Sequence, residues 1–323
     1  MGNSKKELAT KVSILYYDQK QNQNEIAQKL NISRSYVSQL LNYAKDNDIV
    51  RTYVNIDAFH PRMVKEETEM NLLFPEVQQF YIMKSNDSQT TREQIGKFAI
   101  PFVSKMIKLA RTITIDPGTS VRKVIEALPG DSFEHCQDKI IFPITGGLGN
   151  EKIGLHANQH VQKLGNMLKC QYYFLNCPAI VSNKKVRDAL IQEVNIQQVV
   201  HLWNHVDLAL LGIGNVQEGC TAFSILNDGM IQMLKDGPAV ADIAMNFFDQ
   251  DGQYLGLLDD FRISISLKNM QNAQAKMLIG FGSEKAKAIV SVLKAKIIDF
   301  LITDSITIEA IKHYLHHHKT SAV

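Results

Sequence analysis

Between residues 112 and 128 the chain reads "TITIDPGTSVRKVIEAL", and its five central residues, Asp116-Pro117-Gly118-Thr119-Ser120, are of a kind that binds anions. Gly118 lets the backbone come close to a ligand. The amides and hydroxyls of Thr119 and Ser120 face outward where a helix begins, which is where a phosphate is held. The same five residues also fit an ordinary strand-to-helix turn with a Thr or Ser cap. In "IIFPITGGLGN" the double glycine Gly146-Gly147 follows a buried strand, and His156 then opens a helix within reach of a ligand on the glycine loop. A structural or exposed histidine fits that spacing too. In "LIGFGSEKAKAIVSVL" Lys285 stands in the first turn of a helix capped by Ser283, where its charge opposes the helix dipole. An anionic ligand or a nearby carboxylate offsets that opposition, and so does plain solvation. Asp242 is an acid within the apolar run "PAVADIAMNFF" and needs partners if buried, a need that sugar hydroxyls would meet. "GIGNVQ" begins like a dinucleotide fingerprint, but Gln217 occupies the place of its third glycine, so no cofactor is expected.

A second chemistry lies upstream in "NEIAQKLNISRSYVSQLL", residues 24–41. Ile26, Ala27 and Leu30 share one face of a short helix, and Val37, Leu40 and Leu41 share one face of another. Asn31-Ile32-Ser33 leaves room only for a tight turn. Asn31 tolerates the left-handed conformation that ends a helix, Ser33 caps the next, and Asn22 with Glu25 resembles a capping box. Two helices so joined make a helix-turn-helix. An αα-corner in a helical core has the same pattern, but here Ser33, Arg34, Ser35, Tyr36, Ser38 and Gln39 line the outer face of the second helix. That face donates to phosphates and base edges, and it carries no acid to repel DNA. "ELATKVSILYYD", with Leu8, Val12, Leu15 and Tyr16 on one side, completes a three-helix core.

The elements that must position these residues divide the chain. Residues 1–57 are expected to form an all-α helix-turn-helix domain closed by a wing strand through Ile49, Val50, Tyr53, Val54 and Ile56. Residues 58–75 read as a linker helix started by Pro61 and stopped by Pro75. Residues 76–323 read as an α/β domain, because β-rich runs such as "VQQFYIM", "KIIFPI", "VDLALLGIG" and "IIDFLITD" alternate with amphipathic helices. That alternation implies crossovers and a largely parallel sheet covered on both faces. "AMNFFDQDGQYLG" departs from it, and its Asp251-Gly252 predicts a hairpin turn. The His316-His317-His318 run reads as a solvated tail without a metal, since no partner ligands are found at helical spacing.

At 323 residues and 45% hydrophobic the chain is long enough for two domains with large cores. No apolar run approaches the roughly 18 residues of a membrane span, and the polar "MGNSKKELA" lacks a signal core. Four cysteines without regular spacing fit reduced thiols in the cytoplasm. Net charge is only +2, which excludes coating of nucleic acid by bulk electrostatics. Within residues 1–57 eight basic side chains against six acidic ones leave a small positive charge. One such head binds double-stranded DNA weakly, so a homodimer or homotetramer is expected on an operator.

Taken in order, "LYYDQKQNQNEIAQKLNISRSYVSQLLNYAKDNDIVRTYV", "GTS" at 118–120, "GGLG" at 146–149, "HANQHVQKLGNMLKCQYYFLNCPAIV", "DLALLGIG", "AVADIAMNFFDQDG", "GSEKAKAIVSVL" and "LITDSITIEAI" resemble the SorC-type (DeoR-like) sugar-binding transcriptional regulators of bacteria. The resemblance covers nearly the whole chain. It implies a Rossmann-like effector domain related to sugar-phosphate isomerases and deaminases, a phosphorylated sugar effector, and control of a carbohydrate operon. By matching positions it gives Gly118, Thr119 and Ser120 to the phosphate, and Gly146, Gly147, His156, Asp242 and Lys285 to the rest of the pocket. Two departures stand out: Ala241 where the family commonly has glycine, and Thr145 where some members carry a basic residue. The alternative is a sugar-phosphate isomerase or deaminase carrying a DNA-binding arm, with Asp242 or His156 as general base. No second acid stands at a spacing that supports it, and kinship of fold does not carry activity over.

Overall fold

The computed structural model describes residues 2–50, 62–130, 133, 136–149, 153–217 and 220–319. The chain divides into two compact units, Met1–Asn55 and Ile56–Val323.

The first unit contains α1 (Gly2–Ser13), which runs on into a π-helical turn at Ile14–Asp18, then α2 (Gln23–Leu30) and α3 (Arg34–Asp46). Its caps are those the sequence predicts. Asn22 Oδ1 accepts from the amides of Asn24 and Glu25, both at 3.0 Å, and the Glu25 carboxylate accepts from the Asn22 amide at 2.8 Å. Asn31 ends α2 at φ 53°, and Ser33 Oγ accepts from the Tyr36 amide at 3.1 Å to start α3. Each cap of this kind is worth about 1 kcal/mol, enough to fix where two such short helices begin and end. Ala9, Val12, Leu15, Ile26, Val37, Leu40, Leu41 and Ala44 form the buried core between the three helices. Ile49 and Val50 turn back on α3, their amides both donating to the Ala44 carbonyl at 2.8 and 3.0 Å. Tyr53, Val54 and Ile56 of the expected wing, and Pro61 of the expected linker, lie outside the described residues.

Among its described residues the second unit has ten strands: β1 (Gln79–Met83), β2 (Thr112–Ile115), β3 (Ile140–Pro143), β4 (Gln171–Tyr172), β5 (Leu208–Leu211), β6 (Gly214–Asn215), β7 (Ala239–Ile243), β8 (Asn246–Asp249), β9 (Ala275–Ile279) and β10 (Phe300–Asp304). Seven make a parallel sheet in the order β1-β10-β9-β5-β2-β3-β4. All residues of β5 and β9 are buried, as both-face coverage requires. On one face α5 (Ser88–Leu109), α6 (Thr119–Ala127) and α7 (Ala157–Leu168) bury Ile95, Val103, Val121, Val124, Val161 and Leu164. On the other, α9 (Val194–Leu202), α12 (Ala286–Lys294) and α13 (Ser305–Lys319) bury Val199, Ile289, Val292, Ile308 and Ile311. Three further helices, α8 (Lys184–Gln192), α10 (Asp228–Asp236) and α11 (Leu267–Asn272), lie in the connections. The expected linker contains α4 (Val64–Leu73), which is tied to the sheet: Glu67 accepts from the Ile82 amide at 2.9 Å and pairs with Arg62. The first and last strands of the unit are neighbours, with Gln79 opposite Phe300 and Met83 opposite Asp304.

The remaining three strands form a small antiparallel sheet, β6-β7-β8. Ile243 opposes Asn246, so Ala244 and Met245 alone make the turn, at φ 49° and 63°. Left-handed backbone costs a side-chain-bearing residue about 1–2 kcal/mol. The turn is clamped by Asn246, whose buried Nδ2 donates to the carbonyls of Ile243 (3.1 Å), Ala244 (3.1 Å) and Ile265 (3.2 Å). The hairpin predicted at Asp251-Gly252 follows directly after β8. Gly252 turns there at φ 82°, its amide donating to the Asp249 carbonyl at 3.1 Å, and the returning arm pairs Tyr254 with Phe248 in antiparallel fashion, the amides of Asp249 and Leu255 donating to the carbonyls of Gln253 (3.1 Å) and Phe247 (3.0 Å). The histidine run, expected to be a tail, is the last turn of α13.

Candidate functional site

β2 is flanked by β3 on one side and β5 on the other, although β5 comes three strands after it in the chain. Chain connections leave in opposite directions from such a point and open a crevice beyond the carboxyl ends of the two strands. A cavity of about 110 Å³ lies there. Its floor is Asp116-Pro117-Gly118-Thr119-Ser120 from the end of β2, and its walls come from Thr145, the Gly212–Gly214 segment after β5, Asp242, Ala244-Met245 and Lys285.

The floor is built to leave donors unused. Gly118 takes φ 114° with ψ 171°, a conformation open in practice only to glycine, and no side chain caps α6. The amides of the first turn of a helix have no partner within it, so those of Thr119 and Ser120 are left over by α6, and both residues line the cavity. Asp116, 5% exposed, accepts from the Gly212 amide at 2.9 Å, which ties the ends of β2 and β5 together. Burial, together with the nearby Asp242, keeps its carboxyl far above the usual range.

Asp242 is held differently. It is 9% exposed, and its Oδ1 finds no hydrogen-bond partner in the protein. Burial raises its pKa to about 7, although the Met245 amide donates to it and the Arg262 charge draws it down. Arg262, itself buried, is held by Asp259 (2.8 Å), the Ile265 carbonyl (2.8 Å) and the Tyr254 hydroxyl (3.0 Å). The strained Ala244-Met245 turn thus has a purpose, because it brings an amide to the carboxylate. On the far wall burial lowers the pKa of Lys285, with Glu284 raising it and Arg92 lowering it further. The cavity therefore offers helix-start amides and hydroxyls for an anion, one lysine, and two carboxyl groups suited to hydroxyl donors.

Five of the residues singled out in the sequence meet in this cavity: Gly118, Thr119, Ser120, Asp242 and Lys285. Gly146, Gly147 and His156 do not line it. Gly146 packs against the chain beside it, where a Cβ would stand 2.7 Å from the Cys177 and Pro178 carbonyls. Gly147 pairs with that segment, its amide donating to Cys177 at 2.8 Å. His156 is the N-cap of α7. The histidine near the site is His160, 3% exposed, whose Nδ1 lies 3.1 Å from the Asp116 carbonyl. Its place one helical turn after His156 is visible in "HANQH", but which of the two turns inward depends on the packing of α7. Thr145, where a charged residue is absent, lines the wall with its hydroxyl donated to the Ile263 carbonyl at 3.2 Å. Burial pushes Cys170 up to about 11 and Cys177 up to about 12, so neither thiol is a nucleophile at neutral pH.

In the first unit the outer face of α3 is as expected. Ser33, Arg34, Ser35 and Gln39 are exposed, Tyr36 and Ser38 are half-buried, and the first turn carries no acid. Ser33 serves as the cap and lies 3.0 Å from the Ser35 hydroxyl, so it shares its oxygen between the helix and its neighbour.

A helix-turn-helix unit followed by a parallel α/β unit with a hydroxyl- and anion-compatible cavity defines a DNA-binding regulator of the ligand-responsive class. Comparison with known proteins agrees. The profile of the sugar-binding domain family matches residues 63–312, and that of sigma-70 region 4 matches residues 10–47. The chain belongs to the SorC-type sugar-binding transcriptional regulators. It is 26% identical over 312 residues to the sorbitol operon regulator of Klebsiella pneumoniae, covering 94% of this chain and 96% of that one. It is 23% identical to the deoxyribonucleoside regulator of Bacillus subtilis, covering 96% and 99%. The crystal structure of full-length SorC from Klebsiella pneumoniae shares the fold, with a TM-score of 0.75 at 24% identity, covering 94% of this chain and 98% of that one. Among the described residues no helix is long and apolar enough to cross a membrane.

Proposed function

We propose that this protein controls a carbohydrate operon and that a phosphorylated sugar in the cavity sets its affinity for the operator. The observation that carries the proposal is the start of α6, where Gly118 at φ 114° opens uncapped amides and two hydroxyls to the cavity that also contains Asp242 and Lys285. The phosphate sits on Thr119 and Ser120, opposite Lys285. The sugar hydroxyls donate to Asp242, whose orphaned Oδ1 supplies the acceptor. Arg34, Ser35 and Gln39 reach bases, with Ser33, Tyr36 and Ser38 contacting the backbone. Two or more copies act together, because one head has too little charge to hold DNA alone. The effector acts by binding one of two conformations more tightly and moving the population toward it.

Catalysis is disfavoured, because His156, the other candidate base, is the N-cap of α7 and does not line the cavity, and the relatives are named as regulators. The chain's one tryptophan supplies the assay. Trp203 is buried and donates through Nε1 to the Pro143 carbonyl at 3.0 Å, two residues before Thr145 on the cavity wall. Its fluorescence should respond to phosphorylated pentoses, hexoses or polyols and stay flat with their unphosphorylated parents. Thr119→Leu with Ser120→Leu should abolish the response and leave operator binding intact. Equal responses to parent and phosphorylated sugar would exclude the anion site, and turnover of the added sugar would overturn the regulator reading.

A further inference from the structure

We propose that the last two turns of α13 form a binding site for a divalent late first-row metal ion, held by His313 and His317. The residues stand four apart on one helix, so their rings share a face, and both are exposed. Their Nε2 atoms lie 3.0 Å apart and their ring centroids 4.3 Å apart. Without an ion, one proton lies between the two nitrogens. An ion would take its place: the accepting imidazole already turns its Nε2 lone pair toward its neighbour, and the donating one presents its own once its proton has moved to Nδ1.

The separation also selects the ion. Metal–nitrogen bonds of about 2.0–2.1 Å drawn to nitrogens 3.0 Å apart subtend roughly 90–97°. That is the cis angle of a square-planar or octahedral ion and falls short of a tetrahedral one, so Cu²⁺ and Ni²⁺ fit better than Zn²⁺. The site is at the carboxyl end of a 15-residue helix, where the dipole favours a cation. Among the described residues no group of three or more His, Cys, Asp and Glu converges, so water completes the coordination and the ion remains exchangeable. No α13 residue lines the cavity described above, so this site is separate from it.

The test uses the full-length protein, Cu²⁺ and Ni²⁺, with isothermal titration calorimetry and, for Cu²⁺, electron paramagnetic resonance. One ion should bind per chain, with two nitrogen donors. His313→Ala and His317→Ala should each weaken binding by about tenfold or more, since either removes half of the chelate, while His316→Ala should change it by less than about twofold. Circular dichroism checks that each variant stays folded. Loss with His316→Ala and retention with His313→Ala would assign the ion to the consecutive run and overturn the proposal. Absence of saturable binding would reduce the pair to a hydrogen bond.

Discussion

Gly118→Ala tests the floor of the cavity with little else disturbed. A Cβ built on Gly118 meets nothing within 4 Å, so the substitution brings no clash, and its whole effect is on the backbone. Holding alanine at φ 114° costs about 1–3 kcal/mol. Loss of conformational freedom in the unfolded chain returns about 0.4–1 kcal/mol. The net expectation is a loss of about 1–2 kcal/mol in stability if the loop keeps its shape. If the loop relaxes instead, stability recovers and affinity for the phosphorylated sugar falls by about tenfold or more, since a rotated peptide no longer aims its donors. Urea denaturation followed by Trp203 fluorescence reads the first outcome, and sugar titration reads the second. Gly130→Ala is the control: Gly130 is exposed, and its Cβ would touch only Met167 Cγ at an ordinary 3.6 Å. If Gly118→Ala matched this control in both stability and affinity, the backbone conformation at the start of α6 would have no bearing on binding.

Asn246→Ala should destabilise the second unit by about 2–4 kcal/mol, because it strips buried carbonyls of donors while removing an acceptor that has none of its own; a loss under about 0.5 kcal/mol would show that the turn holds itself. The Asp242 carboxyl, raised by burial from 3.8 to about 7, keeps in the folded protein a proton that the unfolded chain releases between those values. Its contribution to stability therefore falls as pH rises through that window, by about 4 kcal/mol at most, and levels off above it. Asp242→Asn should remove that part of the slope in denaturation curves taken from about pH 4 to 8, and parallel curves for the two proteins would refute the assignment. Arg34→Ala or Gln39→Ala should cost about 1–3 kcal/mol per base contact in operator binding and leave sugar binding unchanged, as gel-shift and fluorescence titrations can establish.

The helices of the DNA-reading head were legible nearly residue by residue, because short helices are bounded by side-chain caps and Asn22, Asn31 and Ser33 are written in the sequence. The parallel sheet was legible too, since strands buried on both faces are unbroken apolar runs. What escaped was the turn at Ala244-Met245. Neither residue signals a turn, and its geometry is imposed from outside by Asn246 and Ser264, the latter donating to the Ala244 carbonyl at 2.6 Å. The Asp251-Gly252 pair nearby does carry a local signal, and the chain turns there as read. The pocket shows the same division. Thr119 and Ser120 are marked by position in their own element, whereas the choice between His156 and His160, and the packing role of Gly146, depend on chain segments that sequence order keeps apart. His313 was in plain view one turn ahead of His317, but it could be read as a partner only once residues 305–319 were known to be helical.

The pairing of β1 with β10 bears on how the chain is made. Ser85, just past β1, exchanges hydrogen bonds with Ser305, 220 residues later. On the ribosome the head, residues 1–55, emerges before the second unit and is closed by local contacts, while β1 must wait for residues 300–304 before its neighbour arrives. A message cut short before residue 300 would release a DNA reader whose sheet lacks its tenth strand, leaving β1 without its hydrogen-bonding neighbour.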